Sequence, residues 1–86
     1  MKTFEDIIWK KHEIYGAIQG NLSLTNEIEI SIVAGEGMYC SPPKNLGHHN
    51  LYSSFEVEIC DNLGFIVDGP KGWQSKEDIN SLLSNY

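Results

Sequence analysis

Cys40, His48 and His49 are the residues whose types most readily suggest chemistry, and they lie within one short stretch of the chain. Thiolates and imidazoles bind zinc, and a thiolate beside an imidazolium is an activated nucleophile. Zinc sites with strong sequence signatures supply their ligands in closely spaced pairs, whereas here one cysteine precedes two adjacent histidines by eight residues. The sequence therefore predicts no catalytic residue, metal or cofactor, and a metal or thiol site for a small molecule on these three residues is the alternative hypothesis.

The stretch YCSPPKNLGHHNLY, residues 39–52, is more typical of a long loop. Its prolines and glycine predict a connection over about residues 36–53, which exceeds the usual loop length in a small domain, and such loops tend to be functional. Tyr and Trp are enriched in protein interfaces because they bury a large area with few rotatable bonds. The residues predicted to contact a partner from this loop and from a second Gly-flanked loop are Tyr39, His48, His49, Tyr52 and Trp73.

Four glutamates form the most regular charged pattern in the sequence. They alternate with apolar residues in two predicted strands, so we expect all four on the sheet face opposite the helices. Like charges directly across a strand pair destabilise a sheet. Such a face predicts a docking surface for a basic protein, while protection against edge aggregation and simple solvation are the alternatives. The predicted docking residues are Glu27, Glu29, Glu56 and Glu58.

The charge balance restricts the classes of partner. Twelve acidic residues stand against six lysines without any arginine, which gives a net charge of −6. This balance argues against direct binding of nucleic acid and against docking on an anionic membrane. The sequence has no apolar run that could span a bilayer and no recognisable secretion signal, which predicts a cytoplasmic protein in which Cys40 and Cys60 are free thiols.

The helices are predicted from apolar residues at three- and four-residue steps. A first helix would begin after Thr3 and end near Gly16 or Gly20. A last helix would begin after Ser75, a good N-cap residue. The apolar stripes are Phe4, Ile7, Ile8, Ile14, Tyr15 and Ile18 in the first helix, and Ile79, Leu82, Leu83 and Tyr86 in the last.

The strands are predicted from alternation with a period of two. One strand covers residues 22–34, strongest over 27–34 and with a possible bend at 25–26. A second covers residues 53–60, and a tight turn at 61–64 leads into a third at 65–68. The predicted fold is a single α+β domain over residues 1–86. It is a two-layer sandwich in α-β-β-β-α order, in which a three-stranded antiparallel sheet carries both helices on one face.

The segments GMYCSPP, SSFEVEI and GWQSKEDINSLL resemble short bacterial proteins of the mobile gene pool, such as phage and integron-cassette products. The resemblance spans residues 27–83 and implies a small, acidic α+β domain that can be dimeric. It transfers no catalytic residue to any position and favours inhibitors and adaptors over enzymes. The predicted function is thus a non-enzymatic acidic interaction module that binds a basic protein and can form a homodimer.

Overall fold

The computed structural model describes residues 2–12, 16–25 and 27–86, which form a five-stranded antiparallel sheet and one α-helix. The strands pair in chain order, each antiparallel to the next. Two short 3-10 turns, Phe4–Asp6 and His49–Leu51, lie before the first strand and in the long loop. The elements are β1 (Ile8–Lys11), β2 (Ile18–Ser23), β3 (Ile28–Ala34), β4 (Phe55–Asp61), β5 (Ile66–Gln74) and α1 (Lys76–Leu83).

The predicted sandwich with three strands and two helices is wrong. Where the first helix was expected, the chain forms the Phe4–Asp6 turn followed by the β1–β2 hairpin, so the sheet gains two strands and loses a covering helix. Two members of the expected stripe, Ile14 and Tyr15, lie outside the described residues.

A close approach between Trp9 and Gly20 explains why these residues form strands. Trp9 lies opposite Gly20 in the β1–β2 ladder. A Cβ atom at Gly20 would lie 2.5 Å from Cγ2 of Ile7 and 2.9 Å from Cε3 of Trp9. The glycine therefore gives the indole the space to cover the sheet. Phe4 lies in the first 3-10 turn and Ile7 directly follows it, and both side chains are buried in the same core. Their spacing is that of an α-helix, although this segment forms no α-helix.

The later elements agree better with the sequence. The predicted strand at 22–34 divides at the anticipated bend, where the backbone N–H groups of Leu24 and Thr25 donate to the carbonyl of Ile28. The second strand and the hairpin after it are confirmed. In that turn Gly64 has a φ of 88°, and Asp61 accepts hydrogen bonds from the backbone at residues 63 and 65.

The sheet has one covered face and one open face. Buried side chains on the covered face pack against the Phe4–Asp6 turn, the long loop and α1. The helix is capped as expected, since the hydroxyl of Ser75 accepts from the N–H of Asp78 and the carboxylate of Asp78 accepts from the N–H of Ser75. The core comprises Phe4, Ile7, Ile18, Leu24, Ile30, Ile32, Ala34, Cys40, Tyr52, Phe55, Val57, Ile59, Ile79 and Leu83.

The long loop between β3 and β4 is held by its own polar contacts. The hydroxyl of Tyr52 accepts from the N–H of Leu46 and donates to the carbonyl of Lys44. Ser41 pairs with Ser54 in an isolated bridge. Within the ranges that the structure describes, no helix has the length and apolarity needed to cross a membrane.

Candidate functional site

The open face of the sheet forms a shallow concavity of about 480 Å³. It is lined by side chains that alternate with the core residues of the three central strands, which is why a polar floor lies directly behind an apolar core. Its carboxylates come from β3, from β4 and from the turns at the strand ends, and the lining contains no lysine. The polar and charged lining residues are Gln19, Asn21, Ser23, Thr25, Glu27, Glu29, Ser31, Glu58, Asp61 and Asn62.

The strand register does not place the carboxylates of Glu29 and Glu58 directly opposite each other. Glu29 lies opposite Cys60, and Glu58 lies opposite Ser31. The two glutamates are therefore diagonal neighbours, which weakens the direct cross-strand repulsion that the sequence pattern suggested. Glu27 precedes β3 at the rim of the concavity, and Asp61 adds a carboxylate that the sequence analysis did not select.

Glu56 is the predicted docking residue that the structure places elsewhere. It lies on the same open face, opposite Val33, but it does not line the concavity. Its carboxylate accepts a hydrogen bond from the N–H of Tyr39 at 3.2 Å, so it tethers the start of the long loop to β4.

Exposed apolar side chains flank the concavity at the β4–β5 hairpin. Phe65 is 68% exposed and Leu63 is 76% exposed. Ile66 lies opposite Cys60, and paired residues share a face, so this isoleucine extends the open face with apolar surface. Sequence reasoning missed this patch, although the run LGFIV directly after a turn is its signal.

The predicted loop contacts fall into three groups. Tyr52 is buried and stabilises the loop from inside, so its side chain does not face a partner. Tyr39 and Trp73 are both exposed, and their ring centroids lie 5.1 Å apart. Trp73 belongs to β5 rather than to a loop, and its φ of 52° is unusual for a residue with a side chain.

His48 and His49 join an aromatic stack on the covered side of β1. The imidazole of His49 stacks on Trp9 at 4.8 Å with an interplanar angle of 7°, and His48 stacks on His49 at 4.5 Å. Burial lowers the pKa of His49, and electrostatic interactions with His48 and Lys76 lower it further, against an opposing effect of Glu5. His49 is thus mainly neutral at pH 7.

Comparisons with protein-family models, with curated proteins and with solved structures gave no match.

The contacts of the Cys40 thiol do not involve His48 or His49. Its thiol is buried in the core, accepts from the N–H of Gly35 at 3.3 Å and donates to the carbonyls of Gly35 and Pro42. Burial raises the pKa of Cys40, which keeps it a thiol at neutral pH. Across the described ranges, no group of three or more His, Cys, Asp or Glu side chains is placed to hold a metal ion.

Cys60 is the thiol that lies among the carboxylates. Burial raises the pKa of Cys60, and the nearby charge of Glu58 and its hydrogen bond to the thiol, at 3.8 Å from Sγ to Oε1, raise it further. Glu29 and Asp61 act in the same direction. This cysteine is therefore a poor nucleophile at neutral pH, although it lines the concavity.

We expect Glu58→Gln to increase the rate at which Cys60 reacts with a chromogenic disulfide reagent. Removing the neighbouring negative charge lowers the thiol pKa, which increases the fraction of reactive thiolate and should raise the rate a few-fold. The rate is measured at pH about 7.5 in a Cys40→Ser background. Glu36→Gln, which removes a charge outside the concavity, is the control and should leave the rate unchanged. Equal rates in the two variants would contradict the placement of Glu58 beside the thiol.

Proposed function

We propose that this chain is a non-enzymatic interaction module that binds a basic protein through the concave open face of its sheet, as an adaptor or an inhibitor. The supporting observation is the concavity lined by Glu27, Glu29, Glu58 and Asp61 without any lysine. Across the described residues, the one salt bridge joins Lys71 to Asp68, outside this lining. None of these four carboxylates forms a salt bridge with a described residue, so their negative charge can act on the cationic groups of a partner, although Asp61 also accepts hydrogen bonds within its own turn.

The apolar hairpin gives the proposed surface a second component. Charges steer a partner and fix its register, whereas apolar contacts provide most of the binding free energy. Leu63, Phe65 and Ile66 lie at the edge of the concavity, and each is at least half exposed. The partner that fits is a basic segment whose lysine or arginine residues alternate with apolar ones.

Binding is favoured over catalysis because the concavity lacks an activated nucleophile. Cys60 is its one thiol, and the surrounding carboxylates raise the pKa of that group. We place the module in the reducing cytosol, where Cys40 and Cys60 stay free, and we retain the homodimer and the mobile-gene origin as parts of this proposal.

Replacing Glu29 and Glu58 together by glutamine should weaken binding to a basic amphipathic probe peptide. Each solvent-accessible charge pair contributes from a fraction of a kcal/mol to about 1 kcal/mol of binding free energy. The double substitution should therefore lower the affinity about 5- to 30-fold at low salt. The affinity of the original chain should also fall as salt is added. Both effects are measured by titration calorimetry with a peptide of alternating lysine and leucine.

The matched control is the Glu36→Gln, Glu77→Gln double variant, which removes the same net charge from exposed positions outside the concavity. It should bind the peptide nearly as well as the original chain. Equal weakening by both double variants would show that net charge alone attracts the peptide. An affinity that does not depend on salt would also refute the charged docking face.

A further inference from the structure

A second cleft, of about 300 Å³, lies at the other edge of the sheet, between β1 and the His49–Leu51 turn. Its size is at the lower end of small-molecule sites, which typically measure about 300–1,000 Å³. Among the described residues its lining contains no carboxylate, although the chain as a whole is acidic. The lining residues are Trp9, Lys10, Lys11, Ile18, Gly47, His48 and His49.

The cleft carries positive charge from β1. Lys10 and Lys11 both line it and are exposed, but Lys11 pairs with Ile18 on the covered face, with Trp9, whereas Lys10 pairs with Gln19 and projects to the open face. Their ammonium groups make no salt bridge or hydrogen bond with any residue that the structure describes. Lys76 adds a further charge from α1, since its Nζ lies 5.2 Å from the centroid of the Phe4 ring, which itself contacts His49.

His48 supplies an oriented hydrogen-bond donor. Its Nδ1 accepts from the N–H of Asn50 at 3.1 Å. A neutral imidazole that accepts at Nδ1 carries its proton on Nε2, so the other ring nitrogen is a donor. Because His48 is exposed, this donor is available to a ligand.

The same histidine ends a stack of rings. The order is Trp9, His49 and His48, with adjacent centroids 4.8 and 4.5 Å apart. Trp9 and His49 are partly buried, whereas His48 is exposed, so the stack is open at one end. A planar ring can extend such a stack at offset-stacking distance.

We infer that this cleft binds a small planar anion, an aromatic ring that carries an acidic group, with the ring against the histidine stack and the anion near Lys11. Neither half of the ligand is sufficient alone. An anion without a ring lacks the stacking contact, and the protein's overall charge of −6 repels it. A ring without charge leaves Lys11 without an anionic partner.

The test uses naphthoate, its uncharged analogue naphthamide, and acetate, which has the charge without the ring. Binding is followed by NMR through the imidazole signals of His48 and His49 and the indole signal of Trp9. We expect naphthoate to shift these signals and to bind about tenfold or more tighter than either analogue, because naphthamide loses the charge-assisted hydrogen bond and acetate loses the stacking contact. Lys11→Gln should remove most of this preference, and Lys10→Gln, on the opposite face of the same strand, is the control of equal charge change.

The dependence on pH provides an independent readout. The charged groups that act on His49 are Lys76 from α1 and Glu5 from the first 3-10 turn, with His48 beside it, and Lys11 of β1 lines the same cleft. Naphthoate stays ionised between pH about 7.5 and 5.5, so a change in its affinity over this range reports protonation of the protein and not of the ligand. Equal binding of naphthoate and naphthamide would overturn the inference, and so would equal effects of Lys11→Gln and Lys10→Gln. The same signals shifting with protein concentration alone would overturn it too, because the cleft would then hold the acidic face of a second copy.

Discussion

Phe55→Ala is expected to lower the free energy of unfolding by about 3–5 kcal/mol, the usual cost of removing a buried aromatic ring. Phe55 is fully buried at the start of β4. The rings of Phe4, Trp9 and Tyr52 surround it, with centroids 5.4, 5.5 and 6.0 Å away. A cavity at this position loses contacts on several sides, and neighbours from three separate segments cannot all close it.

The size of the protein makes that loss severe. A chain of 86 residues has a total stability of roughly 4–13 kcal/mol, since globular proteins have about 0.05–0.15 kcal/mol per residue. Urea unfolding followed by tryptophan fluorescence measures the change. Phe65→Ala, which truncates a ring that is 68% exposed, is the matched control and should alter stability by no more than about 0.5 kcal/mol. A similar small loss for Phe55→Ala would mean that this ring is not at the centre of the core.

The second half of the fold could be predicted because its signals are local. The alternation in β4, the turn glycine at position 64 and the N-cap at Ser75 each specify a backbone conformation within a few residues. Such signals do not depend on what packs against them. The sequence analysis therefore found β3, β4, the hairpin and α1, and it erred mainly in the length of β5.

The first half could not be predicted because its signal is tertiary. Phe4, Ile7 and Ile18 have helical spacing and are all buried, but they reach the core from a 3-10 turn, an irregular residue and a strand. The spacing of apolar residues indicates which residues are buried, but it does not determine the backbone conformation between them. The packing of Trp9 over Gly20, which stabilises the strand pair, has no sequence pattern of its own.

The two candidate sites differ in the same way. The open acidic face follows from the period of a strand, so the positions of Glu29 and Glu58 on one face could be predicted. Their diagonal arrangement required the register, which sequence alternation leaves undetermined. The cationic cleft brings Trp9 from β1 next to His49, far along the chain, and only the folded sheet shows that they are neighbours.

Gly35→Ala is expected to lower the free energy of unfolding by about 2–5 kcal/mol, because overpacking costs about 1–3 kcal/mol and a left-handed backbone costs a side chain about 1–2 kcal/mol. A Cβ at Gly35 would lie 2.4 Å from the Cβ of Ala17 and 2.9 Å from its Cα. The φ of Gly35 is 155°, at the edge of the region that disfavours side chains. Ala17 is fully buried, so it cannot move away without disturbing β2.

Gly37→Ala separates the two contributions. Gly37 also has a positive φ, of 82°, but a Cβ there would meet nothing within 4 Å, so its loss in urea unfolding should reflect the backbone alone, about 1–2 kcal/mol. The excess cost of Gly35→Ala then measures the close packing of Gly35 against Ala17 and the side chain of Asn45. The contact with Ala17 follows from the register, because Ala34 lies opposite Ile18 and the next pair is Gly35 with Ala17. If both variants lose the same stability, this register is wrong, and the open face on which Glu29 depends would have to be reassigned.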